Sequence, residues 1–100
     1  MYFQNNLDKM GLEEDFQKAV DEVSNKIKKT MSNDELKEIY ALFKQGTVGD
    51  INTTRPGMLD LKGKAKWDAW NSKKGMSQDE AKQKYIEVAN QLKEKHGLIA

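Results

Sequence analysis

Pro56 is the only proline of this chain, and it lies inside the one stretch crowded with turn formers, residues 46–57. Proline locks its own φ and offers no N–H, so it marks a place where helix and ladder must stop. The chain is expected to divide there, with two helices before the loop and two after it. The apolar residues support helix over strand. Phe16, Val20, Val23 and Ile27 recur at offsets of four, seven and eleven, the stripe of a helix that buries one face. Leu36, Ile39, Tyr40 and Phe43 form a second stripe, and Ala81, Tyr85, Val88, Ala89 and Leu92 a third. No strand alternation and no internal repeat stand out.

Start and stop signals set the expected boundaries. The first helix is predicted over 13–28, because Glu13, Glu14 and Asp15 suit the positive end of a helix dipole. Ser32, Asn33, Asp34 and Glu35 make a capping box, in which side chains satisfy free N–H groups at a helix start. That second helix is predicted to end near Gly46. A third is expected over 62–74, stopped by Gly75 as a C-terminal cap. Ser77, Gln78, Asp79 and Glu80 form a second capping box. The fourth helix should end at Gly97 after Lys93, Lys95 and His96, cations suited to that end of the dipole. The fold class expected is all-α, a four-helix bundle.

Residues 1–12 read as a separate N-terminal extension or a protease-cleavage remnant, since Met1, Tyr2, Phe3 and Gln4 resemble part of a cleavage site. The domain is expected over 13–98. One hundred residues suffice for a single core between packed helices. Two tryptophans and helical apolar spacing argue against disorder. A net charge of +1 argues against a strongly basic nucleic-acid binder. No apolar run reaches the roughly 20 residues of a membrane span. No basic stretch followed by an apolar run marks a secretory leader, so a cytoplasmic monomer is expected.

Catalysis finds little support. With no cysteine and one histidine, thiolate nucleophiles, disulfides and histidine metal clusters are excluded. Gly-x-Ser-x-Gly, His-Glu-x-x-His and phosphate-binding glycine loops are absent. The carboxylates fall at helix starts and between lysines, where a solvated face explains them. No enzyme activity, cofactor or metal is expected.

Two constellations remain. Tyr40, Phe43 and Lys44 share one helix face, because residues three and four apart are neighbours. A phenol, a flat ring and an ammonium suit a ligand with a planar base and a phosphate. The simpler reading of the pattern alone is core aromatics with Lys44 reaching past them to solvent. The second is the run Lys62-Gly-Lys-Ala-Lys-Trp-Asp-Ala-Trp70. Residues 61–74 hold five lysines and one acid, a local +4 that attracts anions. Lys62, Lys66 and Trp70 follow one another at single turns. A multiply phosphorylated small molecule or a nucleic acid would fit, and so would a solvated cationic face with Trp67 and Trp70 as core anchors.

The order of these motifs resembles the acyl-CoA-binding protein family, also called diazepam-binding inhibitor. The matching residues are Tyr40, Phe43, Lys44 and Gln45, then the run from Thr47 to Asn52, then Arg55 to Asp60, then Lys62 to Asn71. Phe16, Ala19 and Tyr85 also fall where that family's pattern has them. The resemblance implies an up-down-down-up bundle with a long loop between helices two and three. It implies a non-covalent ligand, a medium- to long-chain acyl-CoA. The 3′-phosphate would be gripped by Tyr40, Lys44, Lys66 and Tyr85, with adenine against Phe43. The acyl tail would fold into a groove between helices. A family lysine contact in the first loop would fall to Lys28 or Lys29. The implied role is binding, buffering and transport of these thioesters, with no nucleic-acid partner and no stable membrane insertion. Three departures stand against the pattern: Phe43 where tyrosine is usual, Gly46 where alanine is usual, and a first loop without its proline and one residue longer. Gly46 is expected to loosen the end of helix two.

Overall fold

A computed structural model describes residues 9–27 and 30–97, with side chains from residue 11 onward. Among the described residues all regular structure is helical. The elements are α1 (Lys9–Glu22), a π turn (Val23–Ile27), α2 (Asn33–Thr47), α3 (Leu61–Asn71) and α4 (Gln78–His96).

Several boundaries differ from the sequence expectation. α1 is described from Lys9, so Glu13, Glu14 and Asp15 fall beyond its first described turn, which carries no acid. Its last turn is not α-helical: the chain widens into the π turn, with Val23 and Ile27 still buried. Such single π turns tend to occur at functional sites. α2 ends one residue past Gly46. α3 ends at Asn71, before Lys74, and is capped by Ser72. Gly75 therefore caps nothing; it sits at φ +95° in the turn leading to α4. Gly97 ends α4 as expected, at φ +75°, its N–H donating to the Lys93 carbonyl at 2.7 Å.

The serine caps hold. The Ser32 hydroxyl accepts from the Glu35 N–H at 3.1 Å, and the Glu35 carboxylate accepts from the Ser32 N–H at 2.9 Å. Two of the four free donors at the start of α2 are thereby satisfied. The Ser77 hydroxyl accepts from the Glu80 N–H at 3.0 Å and starts α4.

Helix directions follow from the pairs that cross between helices. Glu13 meets Lys82 at 2.6 Å and Glu22 meets Lys93 at 2.8 Å, so α1 and α4 are parallel. Gly46 lies against Lys82, whereas Glu35 pairs with Lys95 at 2.7 Å, so α2 and α4 are antiparallel. Lys66 lies over the ring of Tyr40 and Lys44 over that of Trp70, so α2 and α3 are parallel. The order is up-down-down-up, and the parallel pair requires the long crossing loop, residues 48–60.

The core runs along α1, α2 and α4. Phe16, Ala19, Val23, Ile27, Met31, Ile39, Leu42, Tyr85, Ala89 and Leu92 form one buried cluster. Burying each of its larger members contributes roughly 1.5–3 kcal/mol. The Phe16 ring stands edge-on to Tyr85 at 5.1 Å and stacks on Phe43 at 6.2 Å. Gly46 does not interrupt α2, which runs on to Thr47. It lies inside the helix and buried, and a Cβ there would sit 3.2 Å from Lys82 Cγ and 3.7 Å from Phe16 Cζ. The one tight neighbour is the Lys82 side chain of α4; the distance to Phe16 of α1 is an ordinary contact.

Trp67 and Trp70 are anchors of the loop, outside the main core cluster. The Trp70 indole donates to the Gly49 carbonyl at 2.7 Å and the Trp67 indole to that of Thr53 at 2.8 Å. Arg55 forks onto Asp68 through two bonds of 2.8 Å. Gln45, fully buried, donates from its amide to both the Asp50 carboxylate and the Met76 carbonyl at 2.8 Å. Asp50 also accepts from the Gly75 N–H at 2.8 Å. That N–H first, and Gln45 second, hold its carboxyl below the usual range.

Glu35 ties the far end of the bundle. It closes the α2 cap and also meets Lys95 and His96 at the end of α4, at 2.7 and 3.0 Å. Lys95 foremost, then the Ser32 N–H and His96, hold its carboxyl at about 2, against an ordinary 4.5. A depressed carboxyl favours the folded state above its unfolded pKa and loses that effect as pH falls through the folded one. Melting temperature should therefore drop between about pH 4.5 and about pH 2, and Glu35→Gln should reduce that drop while lowering stability near neutrality. Glutamine still closes the capping box, so the change isolates the charge. A melting-temperature profile against pH for both proteins checks this; identical acid limbs would exclude Glu35 as a contributor.

Candidate functional site

A cleft of about 370 Å³ opens between α1 with its π turn, α2, α3 and α4. Val20, Val23, Ser24, Leu36, Ile39, Tyr40, Phe43, Lys66 and Tyr85 line it. Its floor is continuous with the core, since Val23, Ile39 and Tyr85 belong to both. The helical period explains how. An inward stripe on each helix supplies the floor, and residues at the stripe's margin face the opening.

Four residues singled out from the sequence meet here: Tyr40 and Phe43 from α2, Lys66 from α3, and Tyr85 from α4. Lys66 Nζ stands 5.4 Å from the centre of the Tyr40 ring. That parallel packing of α2 on α3 joins the two constellations that lay apart in the sequence. Lys44 does not line the cleft. Its ammonium stands 4.8 Å over the Trp70 ring instead, a cation–π contact that holds it against α3. Lys28 and Lys29 lie outside the described residues.

Apolar spacing assigns Val20, Val23, Leu36 and Ile39 to buried stripes and does not reveal that they also form a cleft wall. Ser24 carries no signal in the sequence. It enters through the π turn, which no apolar spacing reveals.

Chemically the cleft is an apolar slot with a polar rim. Tyr85 is 2% exposed, and its burial holds the phenol protonated well above the usual range. Among the described residues no hydrogen-bond partner occupies the hydroxyls of Tyr40 and Tyr85. Two phenolic hydroxyls can donate to an anion, and the Lys66 ammonium can pair with it. No group of three or more His, Asp or Glu side chains among the described residues could hold a metal ion.

Fold and cleft together define a helical bundle with an open cleft built by side chains from facing helices. A family model described as acyl CoA binding protein matches residues 13–89. The chain belongs to that family. It is 49% identical over 89 residues to a putative acyl-CoA-binding protein of a Hypsibius species, covering 89% of this chain and 99% of the relative. It is 56% identical over 71 residues to acyl-CoA-binding protein homolog 1 of Caenorhabditis elegans, covering 71% and 83%. Among solved structures, acyl-CoA-binding protein 2 of Oryza sativa superposes with a TM-score of 0.85 at 39% identity, covering 90% of this chain and 97% of that one.

The burial of Tyr85 has a direct spectroscopic consequence. The sequence holds three tyrosines. In an alkaline absorbance titration the Tyr85 phenol should lag well beyond the ordinary value near 10, and Tyr85→Phe should abolish that lag. If all titrate together in the folded protein, the buried environment assigned to Tyr85 is wrong.

Proposed function

We propose that the cleft binds fatty acyl-CoA thioesters of medium to long chain, and that the protein buffers and carries them in the cytoplasm without turning them over. One observation carries this reading. Tyr40, Lys66 and Tyr85, supplied by three different helices, converge on a single apolar slot in a chain of the acyl-CoA-binding protein family.

In this reading Tyr40, Lys66 and Tyr85 hold the 3′-phosphate of the ribose. Lys44, one turn from Tyr40, turns from Trp70 to join them. Adenine stacks on the half-buried Phe43, where a ring face suffices and a hydroxyl is not required. The acyl chain lies along Val20, Val23, Leu36 and Ile39. Each methylene removed from water there contributes about 0.8 kcal/mol, so the tail supplies much of the affinity. Phosphate contacts set register and separate the thioester from a free fatty acid. Lys28 or Lys29, in the first loop, is proposed as a further contact to the head group. The bland alternative, polyanion binding through the lysines of α3, makes no use of the apolar wall.

Calorimetric titrations with palmitoyl-CoA, free CoA and palmitate distinguish the two. The thioester should bind tightly, free CoA much more weakly, and palmitate negligibly. Equal affinity for CoA and palmitoyl-CoA would mean that the slot takes no acyl chain. Lys66→Ala and Tyr85→Phe should each weaken the thioester by about 1–3 kcal/mol, the cost of leaving a charged group without a partner. Unchanged affinity in both would break the residue assignment.

A further inference from the structure

The turn that leads from Pro56 into α3 presents three large apolar side chains to solvent. Met58, Leu59 and Leu61 are 84%, 100% and 71% exposed. We propose that this turn is a wedge that docks the protein peripherally on an anionic phospholipid bilayer.

The display is built into the fold. The Asp60 N–H donates to the Gly57 carbonyl at 3.1 Å and closes the turn. The Asp60 carboxylate then accepts from the Gly63 N–H at 2.9 Å and starts α3. Gly63 permits this wrap, because a Cβ there would lie 2.6 Å from Asp60 Cγ. Behind the turn, the Arg55–Asp68 fork and the Trp67–Thr53 bond fasten the loop to α3. A fastened turn holds its apolar side chains out in water, where they gain nothing from the core. Single exposed leucines are ordinary; three large apolar residues within four positions make a patch that calls for a partner.

Charge selects the partner. Lys62 and Lys64 follow the three apolar side chains against Asp60 alone, in a chain whose total is +1; Arg55 is paired with Asp68. Apolar side chains flanked by lysines suit the interface of a bilayer with anionic headgroups. Area argues against a second copy of the chain. Three side chains offer roughly a few hundred Å², below the roughly 800 Å² per partner of a stable protein interface. No helix among the described residues is long and apolar enough to cross a membrane, so the contact is peripheral. None of the three apolar residues lines the cleft, and the docking surface stands independently of what the cleft binds.

Ligand-free protein co-sedimented with vesicles tests the proposal. Vesicles of about two parts phosphatidylcholine to one part phosphatidylserine should carry the protein down, and phosphatidylcholine alone should carry far less. The double change Met58→Ser with Leu59→Ser should lower partitioning at least about tenfold. Both positions are exposed, so the core and the calorimetric response to palmitoyl-CoA should be unchanged, whatever that response is. Wild-type protein left in the supernatant with phosphatidylserine present would overturn the proposal. So would a double variant that sediments as well as wild type. A concentration-dependent dimer that the same substitutions dissolve would also overturn it, by assigning the patch to a second copy.

Discussion

Lys66 reaches the ring of Tyr40 only because α2 and α3 run parallel, and that alignment rests on the crossing loop. Two consecutive parallel helices need a connection that returns the length of a helix. The 11 residues of α3 span about 16 Å, and residues 48–60, extended, reach well over twice that. An irregular segment of this length carries many backbone carbonyls that need partners. The indoles of Trp67 and Trp70 supply two donors, and Gln45 with Asp50 closes the loop onto the turn before α4. The buried amide of Gln45 faces two acceptors, which fixes its orientation; its own Oε1 has no partner among the described residues. The cluster leaves one acceptor unsatisfied, a smaller cost for a carbonyl than for an N–H. In exchange α2, the loop and the α3–α4 turn become one unit, and the position of Lys66 depends on it.

The aromatic residues serve the core and the cleft at once. Phe16 meets Tyr85 within the buried cluster and Phe43 at its edge, while Tyr85 and Phe43 also line the opening. Core and ligand site were opposed readings of Tyr40 and Phe43 at the level of spacing. In the folded chain Phe43 packs against the core and also lines the cleft, while Tyr40 lines the cleft. The cleft is thus lined by the same rings that pack on Phe16.

What was legible in the sequence follows from this arrangement. Ser32 and Ser77 announced two helix starts because capping is local chemistry, settled by residues three apart. Gly97 announced an end for the same reason. Gly75 misled, since a positive-φ glycine marks any tight turn, and here α3 stops four residues earlier at Asn71. The acids at 13–15 misled in turn: they suit a first turn electrostatically, but nothing local forbids another turn of helix before them. The π turn left no trace in apolar spacing. Lys44 shares a helix face with Tyr40, as arithmetic requires, yet its ammonium sits on Trp70, and only tertiary structure says where Trp70 lies. Lys66 was legible as a cation in a basic run. Its meeting with Tyr40 became an expectation only through resemblance to a family, because no spacing rule spans the crossing loop.

The bundle is fastened at both ends and open between them. At one end Gln45 and Asp50 join α2, the loop and the turn into α4. At the other Glu35 binds the start of α2 to the end of α4 through Lys95 and His96. Along the side, Glu13–Lys82 and Glu22–Lys93 hold α1 beside α4, with each carboxyl held below its usual range foremost by its lysine. Exposed pairs of this kind contribute little individually, but they fix the register of long helices whose core side chains are mostly interchangeable aliphatics. Register is what the cleft needs. A slip of one residue between α1 and α4 would turn Phe16 away from Tyr85 and carry the phenol off the floor. A preformed slot spares a ligand the ordering of the groups that receive it. The charged rungs therefore matter less through the energy of each pair than through the one alignment in which Tyr40, Lys66 and Tyr85 face the same space.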